Sequence, residues 1–314
     1  MKIVSCFTGL KELKPLAAAG ADEFYTAVEG LPAFSFGFLP AGQLRAAVEA
    51  AHALGKPLAL AVNAIHAPAF RNPAAIMRKL RAADALGVDA FIVSNPQLLR
   101  DLSAARPRLR AQLHLSSVQP VFNTLAAAFF LRFGVSRIIL PNQLRAHEAR
   151  EIISFCLRNG VESEIFDYRF FGCAYINGRC QLHRPGYYRL RKETPDGSMC
   201  RVNARPGGLA AVKTLDLPER AAAVGAAAAR LEQRLAGGGA PRFSDAAAFF
   251  DMLLAGASRL KYGTRHDPSR VKVRKVRAVR EMLDLAEGLK AALPPEQAAR
   301  AFTRKMSFWD GSKL

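Results

Sequence analysis

Residues 2–28, KIVSCFTGLKELKPLAAAGADEFYTAV, set the pattern on which the rest of the chain is read. Lys2 to Phe7 reads as a short strand. Lys11 to Ala19 is rich in Ala and Leu, has a helical period and is stopped by Gly20, and Glu23 to Val28 returns to strand. Two strands joined through a covering helix lie parallel, because a parallel pair needs a crossover connection rather than a tight turn.

The same unit then recurs along the chain. Helix Ala41 to Leu54 leads to strand Pro57 to Ile65, and helix Pro73 to Leu86 to strand Ala90 to Ser94. Helix Pro96 to Ala105 leads to strand Ala111 to Ser116, and helix Thr124 to Phe133 to strand Arg137 to Leu140. Helix Ala146 to Arg158 precedes strand Val161 to Tyr168, and strand Arg259 to Tyr262 precedes helix Ser269 to Leu293. Eight units favour closure, which removes both sheet edges. The expectation is an α/β chain forming a (β/α)8 TIM-type barrel as one domain over residues 1–314. Residues 169–217 form a long cysteine-bearing insertion after the seventh strand, helices follow at Pro218 to Ala236 and Ser244 to Leu254, and residues 294–314 form a C-terminal tail.

Half of the 314 residues are hydrophobic, enough for one large core, yet no run of eighteen apolar residues occurs. The N-terminus enters a strand without a secretory leader, so the chain reads as cytoplasmic, where five cysteines point to a metal site before a disulfide framework. Lys and Arg number 45 against 26 Asp and Glu, a net charge of +19. Such a field draws polyanions, RNA among them, although an Arg- and Ala-rich composition alone produces much of the same excess.

Cys173, Cys180 and Cys200 fall within the insertion, above the face on which barrels carry their chemistry. Cys6 ends the first strand and points to the same mouth, whereas Cys156 sits in an apolar helix as a small core side chain. Thiolates gathered there would surround a soft metal centre. Six residues separate Cys173 from Cys180, which matches neither a zinc ribbon nor a ferredoxin pair. Three unrelated thiols, or a zinc site completed by His183 or His114, are the alternatives.

At these residues the chain resembles a known family. Glu164-Ile165-Phe166 followed by Gly172-Cys173-Ala174-Tyr175-Ile176-Asn177-Gly178-Arg179-Cys180 is similar to the signature of the collagenase-like peptidase U32 family. Gly20-Ala21-Asp22-Glu23-Phe24-Tyr25, His114-Leu115-Ser116 with Asn123, and Lys261 with Arg265 resemble further family segments. The chain departs from the family pattern in an extra residue between Glu164 and Cys173, in Gln143, in Gly263-Thr264 and in the lack of a cysteine after Cys200. The resemblance implies a four-iron (4Fe–4S) cluster on Cys173, Cys180 and Cys200, with Cys6 the first choice for a fourth ligand. It also implies oxygen-independent hydroxylation of an RNA base or a ubiquinone precursor. The family name implies peptidase activity instead, but no HExxH, GxSxG or identifiable Cys/His pair supports it. A non-catalytic, cluster-carrying subunit beside a homologous partner is the third reading.

His114 and Ser116 occupy alternate positions of the fifth strand, where both face the lumen and His114 would serve as a proton donor. Lys261 and Arg265 flank the end of the eighth strand, where barrels commonly hold an anion, so a small anionic donor or substrate is expected there, with Glu164 nearby. Ion pairing with Asp22, Glu23 or Glu164 is the plainer role for the two cations. From Arg259 to Arg280 nine basic residues accompany one acidic residue. With Tyr187 to Lys192 this run would contact RNA phosphates and bases, or else form a solvated face. Phe302 to Leu314, with Trp309, would cap the barrel or meet a partner.

Overall fold

The computed structural model describes residues 1–34, 37–64, 70–105, 108–169, 245–263, 265 and 267–308. Its strands are β1 (Lys2–Cys6), β2 (Glu23–Thr26), β3 (Leu58–Val62), β4 (Ala90–Val93), β5 (Gln112–Leu115), β6 (Arg137–Ile139), β7 (Glu162–Phe166) and β8 (Arg259–Tyr262). They pair in sequence order, every pair is parallel, and β8 returns to β1, closing the barrel. The expected architecture is therefore present, with β8 as read and the other strands one to four residues shorter.

The helices are α1 (Leu13–Ala18), α2 (Leu44–Ala53), α3 (Pro73–Ala85), α4 (Pro96–Ala105), α5 (Thr124–Leu131), α6 (Ala146–Arg158), α7 (Ala246–Leu254), α8 (Ser269–Ala292) and α9 (Pro295–Ser307). Local chemistry fixes their ends. The side chains of Asn72, Asn123 and Asp245 accept hydrogen bonds from backbone N–H groups in the first turns of α3, α5 and α7, satisfying donors that a helix start leaves open. Gly20 ends the first helical segment at φ 104°, and a Cβ there would meet Arg280 at 2.8 Å, so this turn requires glycine on two grounds.

One expectation changes. Residues 295–307, read as part of a tail, form α9. Ala298, Phe302 and Met306 recur every four residues, and α9 buries all three. The Phe302 ring lies 5.7 Å from that of Phe249 and 5.2 Å from that of Phe250, both on α7. Trp309 lies outside the described residues.

The strands separate two interiors. Ile3, Phe24, Leu60, Phe91, Leu113, Ile138, Ile165 and Leu260 point outward and are buried beneath the helices, the usual apolar layer of a barrel. The register puts Val4, Glu23 and Lys261 on the opposite, lumen face, together with Tyr25, Ile92, His114, Arg137, Glu162, Glu164 and Arg259. Barrel lumens are usually filled by branched apolar side chains. Here β3 and β4 supply three alanines, Ala59, Ala61 and Ala90, and one branched residue, Ile92, and the strands from β6 through β8 to β2 supply charge.

Candidate functional site

The lumen charges form a continuous ladder. Glu23 accepts from Arg259 at 2.5 Å and pairs with Arg137 at 2.8 Å. Glu162 is held by the same two arginines, at 2.5 Å from Arg259 and 2.7 Å from Arg137. Glu164, nearer the mouth, pairs with Arg137 at 3.0 Å and accepts from Lys261 at 2.6 Å. Three carboxylates thus meet three cations. Burial alone would raise the Glu164 carboxyl, but Lys261 and Arg137 outweigh it and hold the pKa below the usual carboxylate value. The Lys261 ammonium also lies 3.9 Å from the centre of the Tyr25 ring, so it is engaged on two sides.

Above the ladder the partners run out. Arg265, in the loop after β8, is buried and donates through one Nη2 hydrogen to the carbonyl of Phe34. Its Nη1 has no partner, and among the described residues no carboxylate pairs with it. Burial lowers the pKa of this guanidinium, with Tyr25 and Cys6 opposing, yet arginine keeps its proton in proteins. A buried cation without a counter-charge among the described residues makes the position suited to an anion.

His114 is the second such group. It is buried on the lumen face of β5, and both ring nitrogens lack hydrogen-bond partners. Burial first, and then the charges of Arg137, Lys261 and Arg259, push its pKa well below the ordinary histidine value. It therefore stands as a neutral imidazole that donates from one nitrogen and accepts at the other, and the imidazolium needed for proton donation is suppressed. Ser116 does not pair with it, since its hydroxyl accepts from Asn63 at 3.0 Å. Among the described residues His114 thus activates no nucleophile.

Cys6 is buried on the lumen face beside Tyr25, Lys261, Arg265 and Lys272. Burial pushes the thiol up to about 11, and the three cations and Tyr25 pull in the opposite direction. Burial outweighs those cations, so the free thiol keeps its proton, and a soft metal bound there would have to displace it, with the nearby cations offsetting part of that cost. Cys156 is buried in α6, where burial raises its pKa to about 11 with no cation to oppose it, as befits a core side chain. No group of three His, Cys, Asp or Glu side chains among the described residues is placed to hold a metal. Cys173, Cys180, Cys200, His183 and the Tyr187 to Lys192 patch lie outside the described residues.

The structure brings Cys6, Glu164, Lys261, Arg265 and His114 to one lumen and mouth, but in different electrostatic states. Lys261 and Glu164 take the plainer role, an ion pair. Arg137, Arg259, Glu162 and Tyr25 also belong to this interior and were not singled out from sequence. Their signal is the charged or polar residue at alternate strand positions, Glu23 with Tyr25, Glu162 with Glu164 and Arg259 with Lys261, which alternation alone reads as a solvent face. Lys272 was read within the basic run, yet it is fully buried, 2.9 Å from Glu12.

Comparison with known proteins gives the family. The sequence pattern of Peptidase family U32 matches residues 8–201. The chain is 31% identical over 198 residues to tRNA hydroxylation protein P of Escherichia coli, covering 61% of this chain and 40% of that protein. It is 28% identical over 203 residues to tRNA hydroxylation protein P of Haemophilus influenzae, covering 63% and 41%. It thus spans about two fifths of the length of these relatives. A solved structure, the U32 peptidase Mk0906, aligns with a TM-score of 0.42 at 17% identity over 53% of this chain and 68% of that one. No helix among the described residues is long and apolar enough to cross a membrane. With its family pattern matched over more than half of its length, the chain belongs to peptidase family U32.

Proposed function

We propose that this protein acts in oxygen-independent hydroxylation of tRNA, with a small anionic donor or substrate held at the barrel mouth by Arg265. The observation that carries the reading is the buried Arg265 guanidinium, which has an open Nη1 and, among the described residues, no carboxylate partner, next to the lumen thiol of Cys6. Relatives named for tRNA hydroxylation favour RNA over a quinone precursor as the molecule modified.

Cys173, Cys180, Cys200 and Cys6 would hold a four-iron cluster. Such a cluster, when bound, supplies one-electron chemistry or an open iron site. The other roles fall to the chain itself. Arg265 binds a carboxylate or phosphate through paired N–H donors. His114, kept neutral, offers one donor and one acceptor without adding charge to a lumen already balanced. The Glu164 and Lys261 pair, closed on itself, holds the floor of the site in one geometry.

Nucleoside mass spectrometry of tRNA from a strain lacking this gene is the test. The reading expects one nucleoside to lose the mass of an oxygen atom, and expects the wild-type gene to restore it and the Arg265→Met variant to fail. An unchanged nucleoside profile in the deletion strain would count against it.

A further inference from the structure

The mouth continues onto a surface whose charge is unusual for its place in the fold. In the first half of α8, Ser269 to Arg280, there are six basic residues and no acidic one, whereas the second half, Glu281 to Ala292, holds three acidic residues and one basic. This order opposes the helix dipole, which favours acids near the N-terminus and cations near the C-terminus. The first turn has no acidic residue, and the N-cap position is Pro268, which makes no side-chain capping bond. Helix stability would place the charges the other way round.

Three of the six cations are at least half-buried and pair with acids of the fold. Lys272 is buried against Glu12, Lys275 pairs with Asp267 at 2.8 Å, and Arg280 pairs with Asp22 at 2.5 Å. The other three, Arg270, Arg274 and Arg277, are all arginine, and all are exposed. Spacings of four and three residues put them on one face of the helix. Neither Arg270 nor Arg277 has a carboxylate within ion-pair distance among the described residues. The stripe runs for about 10 Å at the helical rise per residue. Because α8 follows β8, it starts at the C-terminal face of the barrel, next to the Arg265 loop.

We propose that this arginine stripe is the surface along which the sugar-phosphate backbone of a tRNA lies when the reacting base enters the barrel mouth. The assignment rests on the hydroxylation reading for the identity of the polyanion, and on α8 alone for its location. Arginine suits it, since the planar guanidinium meets phosphate oxygens through two parallel hydrogen bonds. Contacts of this kind position a nucleic acid without reading its sequence, so the stripe sets affinity and register, and selection of the base is left to the mouth.

The test compares two double variants that change net charge equally. Arg270→Glu/Arg277→Glu alters the stripe, and Arg78→Glu/Arg81→Glu alters exposed arginines of α3, on a different wall of the barrel. Binding of unfractionated tRNA by the full chain is followed by fluorescence anisotropy from 50 to 300 mM salt, with phosphatidylglycerol vesicles as a second probe. The stripe variant is expected to bind tRNA roughly tenfold or more weakly at 100 mM salt, and its log–log salt slope to flatten by about 1.5 to 2. The α3 variant should stay within about threefold of wild type. The thermal midpoint of the stripe variant should hold or rise, because acids then occupy the start of α8. Arg270→Gln/Arg277→Gln, which cannot repel RNA, should show a smaller loss in the same direction.

Equal losses in the stripe and α3 variants would reduce the effect to bulk charge and overturn the assignment. So would wild-type tRNA affinity in the stripe variant, or a loss confined to the vesicles. Wild-type protein that binds no tRNA even at 50 mM salt would overturn the RNA reading itself along with the surface. Tight wild-type binding with an unaffected stripe variant would remove only the surface.

Discussion

The floor and the mouth of this barrel are built from the same residue types to opposite ends. On the floor Glu23, Glu162 and Glu164 are matched by Arg137, Arg259 and Lys261, so each buried charge has a counter-charge. At the mouth Arg265 has a backbone carbonyl and, among the described residues, no carboxylate, and beside the floor, in register with Arg137, His114 has no partner at either nitrogen. A closed network holds a geometry, and open groups wait for a ligand. Removing a member of the first should therefore cost stability, and removing one of the second should cost function.

The largest effect is expected from Glu164→Ala. It strands the buried Lys261 and takes one of three carboxylates from Arg137, and breaking a buried pair from one side costs about 3–5 kcal/mol, readable as a lower denaturation midpoint. A loss under about 1 kcal/mol would mean that the floor is not the rigid half.

His114 gives an intermediate effect through pH. Its folded pKa is depressed, so as pH falls below the ordinary histidine value the unfolded chain takes up a proton that the folded chain refuses. Stability should fall on the acid side from about pH 6.5, by up to about 1.4 kcal/mol per pH unit. His114→Gln should flatten this segment. The Glu164 contribution lies lower, present above the carboxylate range and lost as pH falls through it, so the two are separable.

The smallest stability effect is expected at Arg265. Arg265→Met removes a buried cation that has no counter-charge among the described residues, so the midpoint should move by no more than about 1 kcal/mol in either direction. Hydroxylation in cells should be lost all the same. A large destabilisation would make Arg265 part of the floor.

Much of the barrel was legible because its signal repeats eight times, and the loss of one strand or helix reading would not have changed the conclusion. The C-terminal helix was missed for a local reason. Proline is well suited to a helix start, and Pro295 is followed by the Ala298, Phe302 and Met306 stripe. The lumen was legible only in part. Lys261, Glu164 and His114 stood out by motif and Cys6 by its place at a strand end, but Arg137 lies in a three-residue strand with no motif around it, and only the parallel register turns it inward. Lys272 shows the limit of reading charge runs, since one fully buried lysine sits among exposed arginines of the same helix.

Iron and acid-labile sulfide analysis of anaerobically purified protein bears most directly on the chemistry proposed for the mouth. Wild-type protein should carry close to four irons and four sulfides per chain, as a 4Fe–4S cluster requires, and Cys173→Ala and Cys6→Ala should lose much of both while the Cys156→Ala protein keeps them. Colourless wild-type protein without iron, or a Cys173→Ala variant with its full complement, would contradict the cluster and the hydroxylation that depends on it.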